Sequence, residues 1–251
     1  MKIHFLSDLH IEGVSDPLYK ILLNLLRDHL QPGDVLVLAG DIFDLFIGSK
    51  ESFSREYSEF LEALREVGVR GAVTHYIEGN HDFLMKQTFR GMKNVHVHSS
   101  ELQLEVAGRK IYVAHGDLVD REDYGYRLLR GAFRSLALKA AIEVMPEKLV
   151  GFIGKKSSSY GKVRKPILSD QLSPSRRKRL RRIFHAFAEE KISEGYALVV
   201  LGHCHDLDEQ EIESAVNTGH YYNLGYPRIH KSYLLWDVDA GAAPHREPLG
   251  G

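Results

Sequence analysis

The sequence predicts an α/β protein in which short buried strands alternate with helices, and three observations support that class. First, apolar runs rich in β-branched residues recur along the chain: Ile3 to Leu6, Val35 to Ala39, Ile111 to Ala114, Leu198 to Leu201, and a weaker run from Val73 to Ile77. Runs of this length, bounded by Gly and polar residues, read as buried strands. Second, segments of helical periodicity lie between them. Third, every run leads into a polar motif: Asp8-Leu9-His10, Gly40-Asp41-Ile42-Phe43-Asp44, Gly79-Asn80-His81-Asp82, His115-Gly116-Asp117 and Gly202-His203-Cys204-His205. Ligands of open α/β sheets bind just beyond the carboxyl ends of the strands. Five strands that end in Asp, Asn or His therefore aim polar side chains at one place.

Taken in order, the run Ile3 to Leu6 is the first strand. Asp16-Pro17 supplies a helix cap and a first-turn proline for an apolar-periodic segment running to about Leu30, with Gly33 at its exit. After the second strand, Ser52 to Val67 reads as a helix with Phe53, Tyr57, Phe60, Leu61 and Leu64 on one stripe. From Val95 the pattern changes to hairpins: Val95 to His98, Leu102 to Val106 and Ile111 to Ala114, with Gly108 at a turn. Tyr221 to Leu224 and Tyr233 to Val238 read as late strands. The Gly, Ala and Pro-rich tail over 241–251 is expected to be poorly ordered.

Each motif alone has an ordinary explanation. An Asp-x-His after a strand is commonly a turn or cap, and Gly-Asn-His-Asp has turn composition. Gly-His-x-His is a better sign, because i and i+2 on a strand share a face and both imidazoles reach one site. Five in series after successive strands point to a metal-dependent phosphoesterase centre. Carboxylate, amide and imidazole donors suit divalent Mn, Fe or Zn with no thiolate required.

Composition fits an ordinary globular enzyme, with 43% apolar residues in 251. Cys204 is the single cysteine, so no intrachain disulfide can form and a reducing, cytoplasmic setting is expected. Strand alternation would turn it away from the two flanking histidines. No signal peptide is expected, since the first strand begins almost at once, and no stretch approaches the roughly 20 apolar residues of a membrane span.

Residues 121–195 break the pattern. From Arg127 to Lys191 there are 17 Lys and Arg against 5 Asp and Glu, a net of +12 that leaves −13 for the rest of a chain whose total is −1. A basic helical module inserted into an acidic body (1–120 and 196–240) suggests an anionic partner. Leu128, Leu129, Leu136, Ile142, Val150, Phe152 and Ile153 add apolar surface, and Arg176-Arg177-Lys178-Arg179 with Arg181-Arg182 adds charge. Basic and apolar together favour an amphiphilic anion at an anionic membrane surface. Nucleic acid is disfavoured, because the module offers more aliphatic surface than stacking aromatics.

The order and spacing of the motifs resemble the calcineurin-like metallophosphoesterase superfamily. The resemblance implies a two-sheet β-sandwich flanked by helices, here with an inserted helical cap. It also implies two divalent ions, Mn²⁺ by family habit. Asp8, His10, Asp41 and His205 would hold one, and Asp41, Asn80, His115 and His203 the other, with Asp41 bridging. His81 matches the catalytic histidine of the superfamily, with Asp82 placed in sequence to orient it.

The stretch from His115-Gly116-Asp117 to Asp123-Tyr124-Gly125-Tyr126, with Phe46-Ile47-Gly48 and Lys155-Lys156-Ser157-Ser158-Ser159, is similar to the UDP-2,3-diacylglucosamine hydrolases of the lipid A pathway. That resemblance implies pyrophosphate cleavage to UMP and 2,3-diacylglucosamine 1-phosphate on the cytoplasmic face of the bacterial inner membrane. Substrate contacts would come from Asn80, His81, Asp123, Tyr126, Lys155, Ser157, Lys162 and Lys165. One departure stands out: those hydrolases usually carry Arg where this chain has His81. A related phosphoesterase acting on another nucleotide, phosphodiester or phosphoprotein is the alternative. The oligomeric state is left open.

Overall fold

The computed structural model describes residues 1–133, 135 and 173–250. Two sheets pack face to face. Sheet one has the order β13-β12-β1-β2-β4-β6, formed by His245–Pro248, Ser232–Asp237, Lys2–Leu6, Val35–Ala39, Val73–Ile77 and Val95–His98. Sheet two has the order β10-β11-β9-β8-β7, formed by Leu207–Glu213, Thr218–Leu224, Leu198–Leu201, Arg109–Ala114 and Glu101–Val106. A two-stranded ribbon, β3 (Phe46–Ile47) with β5 (Asp82–Phe83), lies beside them.

Strand alternation explains the layers. Leu6, Leu36, Leu38 and Tyr76 face helices α1 (Pro17–Asn24) and α3 (Ser58–Val69), while Ile3, Phe5, Val37, Ala39 and Ile77 face sheet two. On sheet two, Ile111, Val113, Leu198 and Val200 meet sheet one, and Tyr112, Ala114, Val199 and Leu201 pack under helix α5 (Pro174–Ser193). Strands buried on both faces must be apolar throughout, which is why their sequence runs are unbroken. The sandwich flanked by helices is the architecture the sequence led us to expect.

Helix α1 starts as read: Asp16 caps it by accepting from Leu18 N at 3.0 Å, and Pro17 occupies the first turn. It ends in a π-helical turn, Leu25–His29. The single helix expected over Ser52 to Val67 is instead α2 (Glu51–Glu56) and α3, broken at Tyr57. The Tyr57 ring is pulled into a cluster with Phe43 (centroids 4.3 Å apart) and Phe46 (5.5 Å), and its backbone leaves the helical region. That cluster also fixes the segment between Asp41 and Asp44.

Several sequence expectations are corrected. Val95 to His98 forms no hairpin with the next strand; β6 pairs parallel with β4 and closes the edge of sheet one. The tail expected to be poorly ordered forms β13, antiparallel to β12, with Leu249 buried. It covers a sheet edge that would otherwise expose unpaired backbone, and Trp236 Nε1 and the Tyr222 hydroxyl donate to Ala242 O and Pro244 O, both at 2.9 Å. Strand β10 gave no signal, because it is an acidic edge strand with only Ile212 buried.

Helix α5, read from charge as part of the insertion, buries Phe184, Ala188 and Ile192 against sheet two. Half of its basic cluster is paired with carboxylates, at Asp120 and Asp206 of the acidic body and at Glu122. Arg177 and Arg181 both bind Asp206, and Arg179 binds Asp120 and Glu122 at 3.1 and 3.0 Å. Arg176, Lys178 and Arg182 are exposed. Among the described residues, no helix is long and apolar enough to cross a membrane.

Candidate metal centre

The parallel strands β1, β2 and β4 of sheet one and β8 and β9 of sheet two end at the same rim. The turns that follow are stitched across that rim: Asp8 N donates to Gly40 O and His10 N to Asp41 O, both at 3.0 Å, and Gly202 N donates to His115 O at 2.9 Å. Sheet one thereby contributes Asp8, His10, Asp41 and Asn80, and sheet two His115, His203 and His205.

The backbone turns sharply at these residues. Asp8, His10, Asp41, His203 and His205 have φ of 54°, 46°, 53°, 69° and 56°, five of the eight non-glycine residues with positive φ among those described. Such conformations cost on the order of 1–3 kcal/mol each and gather where structure is over-determined by function. Asp and His are among the residues that tolerate them best. This corrects the strand argument for His203 and His205. They follow β9 in a loop, and their rings part to two different donor groups.

One group is Asp8, His10 and His205, and the other is Asp41, His115 and His203. In the first, His205 Nε2 lies 3.2 Å from both Asp8 Oδ1 and His10 Nε2. In the second, His115 Nε2 lies 3.2 Å from His203 Nδ1 and 3.1 Å from Asn80 Oδ1. Asp41 joins them. Its Oδ1 accepts from Asn80 N and His81 N, both at 2.9 Å, while its Oδ2 lies 3.3 Å from His115 Nε2 and 3.8 Å from His10 Nε2. One carboxylate oxygen thus faces both groups, as a bridging ligand must.

Electrostatics agree with a cation pair. Asp8 and Asp41 are buried, and their ion-pair partners among the described residues are histidines, with no Lys or Arg. Buried carboxylates without Lys or Arg call for a metal or a proton. Burial pushes His10 down to about 3 and His203 down to about 4, so both imidazoles are neutral donors. Burial alone would raise Asp41, but His115, His81 and His10 hold it well below the usual carboxylate range. Burial also opposes charge on His115, yet Asp41, Asp8 and Asp117 push it up to about 10. Its Nδ1 faces Ala39 O at 3.0 Å and must donate, so Nε2 carries the labile proton whose place an ion would take. The residues fit two divalent ions.

Glycines flank the candidate ligands because backbone must come close. A Cβ on Gly79 would overlap Asp41 Oδ1, and one on Gly202 would overlap Asp8 Oδ2.

His81 lies beside this centre, its ring 4.9 Å from that of His10. Its Nδ1 donates to Asp44 O at 2.7 Å, which leaves Nε2 for proton exchange. Burial disfavours its charged form, but Asp41 and Asp44 outweigh that and raise its pKa. The role read for Asp82 is corrected. Asp82 Oδ1 accepts from Asp41 N (3.0 Å) and Gly79 N (2.9 Å), and Oδ2 from Ile42 N (2.7 Å) and the Tyr76 hydroxyl (2.6 Å). It is a buried knot between two candidate ligand turns, with its pKa raised by burial and by the Asp41 charge against donation from Tyr76, Gly79 and Ile42. It does not orient His81.

The centre also draws on residues outside the seven candidate donors. Asp44 sets the His81 tautomer through its carbonyl. Tyr226 stacks on His205 at 4.6 Å, and Arg228 donates to His10 O at 2.8 Å while paired with Asp16 at 2.6 Å. Asp117, two residues after His115, accepts from the Tyr126 hydroxyl at 2.5 Å and pairs with Arg130 at 2.6 Å, tying helix α4 (Tyr124–Phe133) to the centre. Asp123 Oδ1 caps that helix by accepting from Tyr126 N at 2.9 Å. Lys155, Ser157, Lys162 and Lys165, like Leu136, Ile142, Val150, Phe152 and Ile153, lie outside the described residues.

Comparison with known proteins bears on the same rim. The family model for calcineurin-like phosphoesterases matches residues 1–207, a span that includes all seven candidate ligand positions. The chain belongs to this family. Among curated proteins it is similar to the UDP-2,3-diacylglucosamine hydrolase of Vibrio atlanticus, 27% identical over 179 residues that cover 70% of this chain and 69% of the relative. It is also similar to those of Stenotrophomonas maltophilia, at 27% over 57% of each chain, and Photorhabdus laumondii, at 30% over 50% of this chain and 52% of the relative. The chain thus spans little more than half the length of several relatives it matches. A solved structure of a conserved uncharacterized protein from Streptococcus pneumoniae, described as a predicted phosphoesterase, aligns over 94% of this chain and 83% of its own with a TM-score of 0.40 at 14% identity.

Proposed function

We propose that this metallophosphoesterase is a dinuclear pyrophosphatase that hydrolyses UDP-2,3-diacylglucosamine to UMP and 2,3-diacylglucosamine 1-phosphate. Two divalent ions held by the seven ligands would supply Lewis acidity and an activated water for in-line attack at phosphorus. The chain's own residues do the rest. His81, with Nδ1 engaged by Asp44 and its pKa raised, holds a proton on Nε2 for the departing oxygen. Asn80 and Asp41 are fixed by their backbone contacts, so little reorganisation is needed as charge builds on the phosphoryl oxygens.

The observation that carries the substrate reading is helix α4. Tyr126 and Arg130 anchor it to Asp117 beside the ligands, while Tyr124, Leu128 and Leu129 are 76%, 77% and 54% exposed. Hydrocarbon surface this close to a phosphate-cleaving centre suits an amphiphilic substrate, and the names of the curated relatives support the same class. The exposed Arg176, Lys178 and Arg182 would face anionic headgroups on the cytoplasmic face of the inner membrane. His81, where those hydrolases usually have Arg, favours a second reading: the same chemistry on another nucleotide, phosphodiester or phosphoprotein.

The test is a substrate comparison with Mn²⁺ present. The proposal expects kcat/KM for UDP-2,3-diacylglucosamine to exceed that for UDP-N-acetylglucosamine by orders of magnitude, since each CH₂ withdrawn from water is worth about 0.8 kcal/mol. Equal rates on the two, with efficient cleavage of simple diesters, would move the assignment to the second reading.

A further inference from the structure

Away from the metal centre, three histidines meet on the outer edge of sheet one. His75 is on β4, and His96 and His98 are on the edge strand β6. The parallel register places His96 directly opposite His75, with Ile77 opposite His98. Alternation puts all three side chains on one face, because Tyr76, Val95 and Val97 point the other way into the helix layer. His75 Nδ1 and His98 Nε2 are 3.0 Å apart, and the His75 ring centroid is 5.3 Å from that of His96 and 5.2 Å from that of His98. His75 and His98 are half-buried and His96 is exposed, so the group is reachable from solvent.

We propose that His75, His96 and His98 form a third divalent metal site, one that takes a borderline transition ion such as Zn²⁺ or Ni²⁺. Nitrogens bound tetrahedrally at about 2.0–2.1 Å from one ion lie about 3.3 Å apart, close to the spacing His75 and His98 already have. The exposed His96 ring closes the third position by side-chain rotation, and water fills the remainder. Imidazole-only donors select ions of this kind over Mg²⁺ or Mn²⁺, which prefer oxygen.

The surroundings keep the rings in the ligating form. Burial pushes His75 down to about 4 and also lowers His98, and the charged neighbours acting on the pair are histidines and Lys86 rather than carboxylates. An ion here would cross-link the edge strand β6 to β4, whose far end carries Asn80.

The test is equilibrium dialysis of the full chain against Ni²⁺, followed by metal analysis of the wild type and of His96→Ala and His98→Ala. The exposed His96 makes its variant a safe one for folding. Expected is one fewer ion per chain in each variant, with Mn²⁺-supported hydrolysis of bis-p-nitrophenyl phosphate unchanged. The difference between proteins reads this site alone, whatever the total held by the phosphoesterase centre. Ni²⁺ should also raise the melting temperature of the wild type more than that of either variant. Equal ion counts in wild type and variants would overturn the proposal, as would equal thermal shifts.

Discussion

Replacing Asp82 separates a structural knot from a catalytic partner. In Asp82→Ala, two backbone amides on the Asp41 turn, one on the Gly79 turn and the Tyr76 hydroxyl lose their acceptor together. Each buried donor left unsatisfied costs about 1–3 kcal/mol, so after some relaxation the loss is on the order of 4–8 kcal/mol. That is a large share of the roughly 5–15 kcal/mol that holds a domain folded. At about 2–4 °C per kcal/mol for a chain of this size, the melting temperature should fall by on the order of 10–30 °C. Asp82→Asn should cost less, about 1–3 kcal/mol, because one oxygen still accepts from Asp41 N and Gly79 N while the amide group opposes Ile42 N. Thermal denaturation followed by circular dichroism, with Mn²⁺ chelated, measures both. If Asp82→Ala melted with the wild type and instead lost activity mainly on substrates with poor leaving groups, the knot would be wrong and an orienting role for His81 would return.

Four further outcomes are expected. Asp41→Ala should abolish hydrolysis of bis-p-nitrophenyl phosphate even at saturating Mn²⁺; near wild-type turnover would remove Asp41 as the bridge. His81→Ala should lower kcat by about 10²–10⁴-fold with little change in KM, and less for acidic leaving groups; equal losses across a leaving-group series would exclude the acid role. Gly202→Ala should impair metal binding, since its methyl group overlaps Asp8 Oδ2, and titration calorimetry with Mn²⁺ would detect the loss. Asp206 is held below its ordinary pKa, against burial, by Arg181 and Arg177. Its contribution is therefore complete above the unfolded carboxylate pKa of about 3.9 and fades as the pH falls through the lower folded value. Asp206→Asn should lower the urea midpoint at pH 7 and flatten its decline in acid; an unchanged pH profile would show the pairing contributes nothing.

How much of this was legible in the sequence depends on whether burial or long-range contact fixed each feature. Strands β1, β2, β8 and β9 are buried on both faces, so their apolar runs announced them, and the donors followed at their ends. Strand β10 was silent because an acidic edge strand has no apolar face to display. The break at Tyr57 was hidden because its ring fits the helical stripe and leaves it only to join Phe43 and Phe46. The pairing of β6 with β4 and of β13 with β12 is a choice among possible partners that no local pattern encodes. At the centre, residue types and order singled out the seven candidate donors, while the partners that orient them come from distant segments. Asp44 stands in a motif but acts through its carbonyl, and Tyr226 and Arg228 act through a stacked ring and a backbone clamp, contacts that residue type does not announce. Asp82 was misread because adjacency in sequence to His81 implied contact, whereas the turn sends its carboxylate back to Asp41 and Tyr76. The net charge of the 121–195 segment overstated its free charge, because Arg177, Arg179 and Arg181 are spent on Asp206, Asp120 and Glu122.

The central claim is that Asp41 bridges two ions at the joint rim of the two sheets. Anomalous diffraction from crystals grown with Mn²⁺, collected near the manganese edge, tests it most directly. Two peaks should appear roughly 3.5–4 Å apart, one among Asp8, His10 and His205, the other among Asn80, His115 and His203, with an Asp41 oxygen between them. A single peak at saturating Mn²⁺, or two peaks with Asp41 bound to only one, would contradict it.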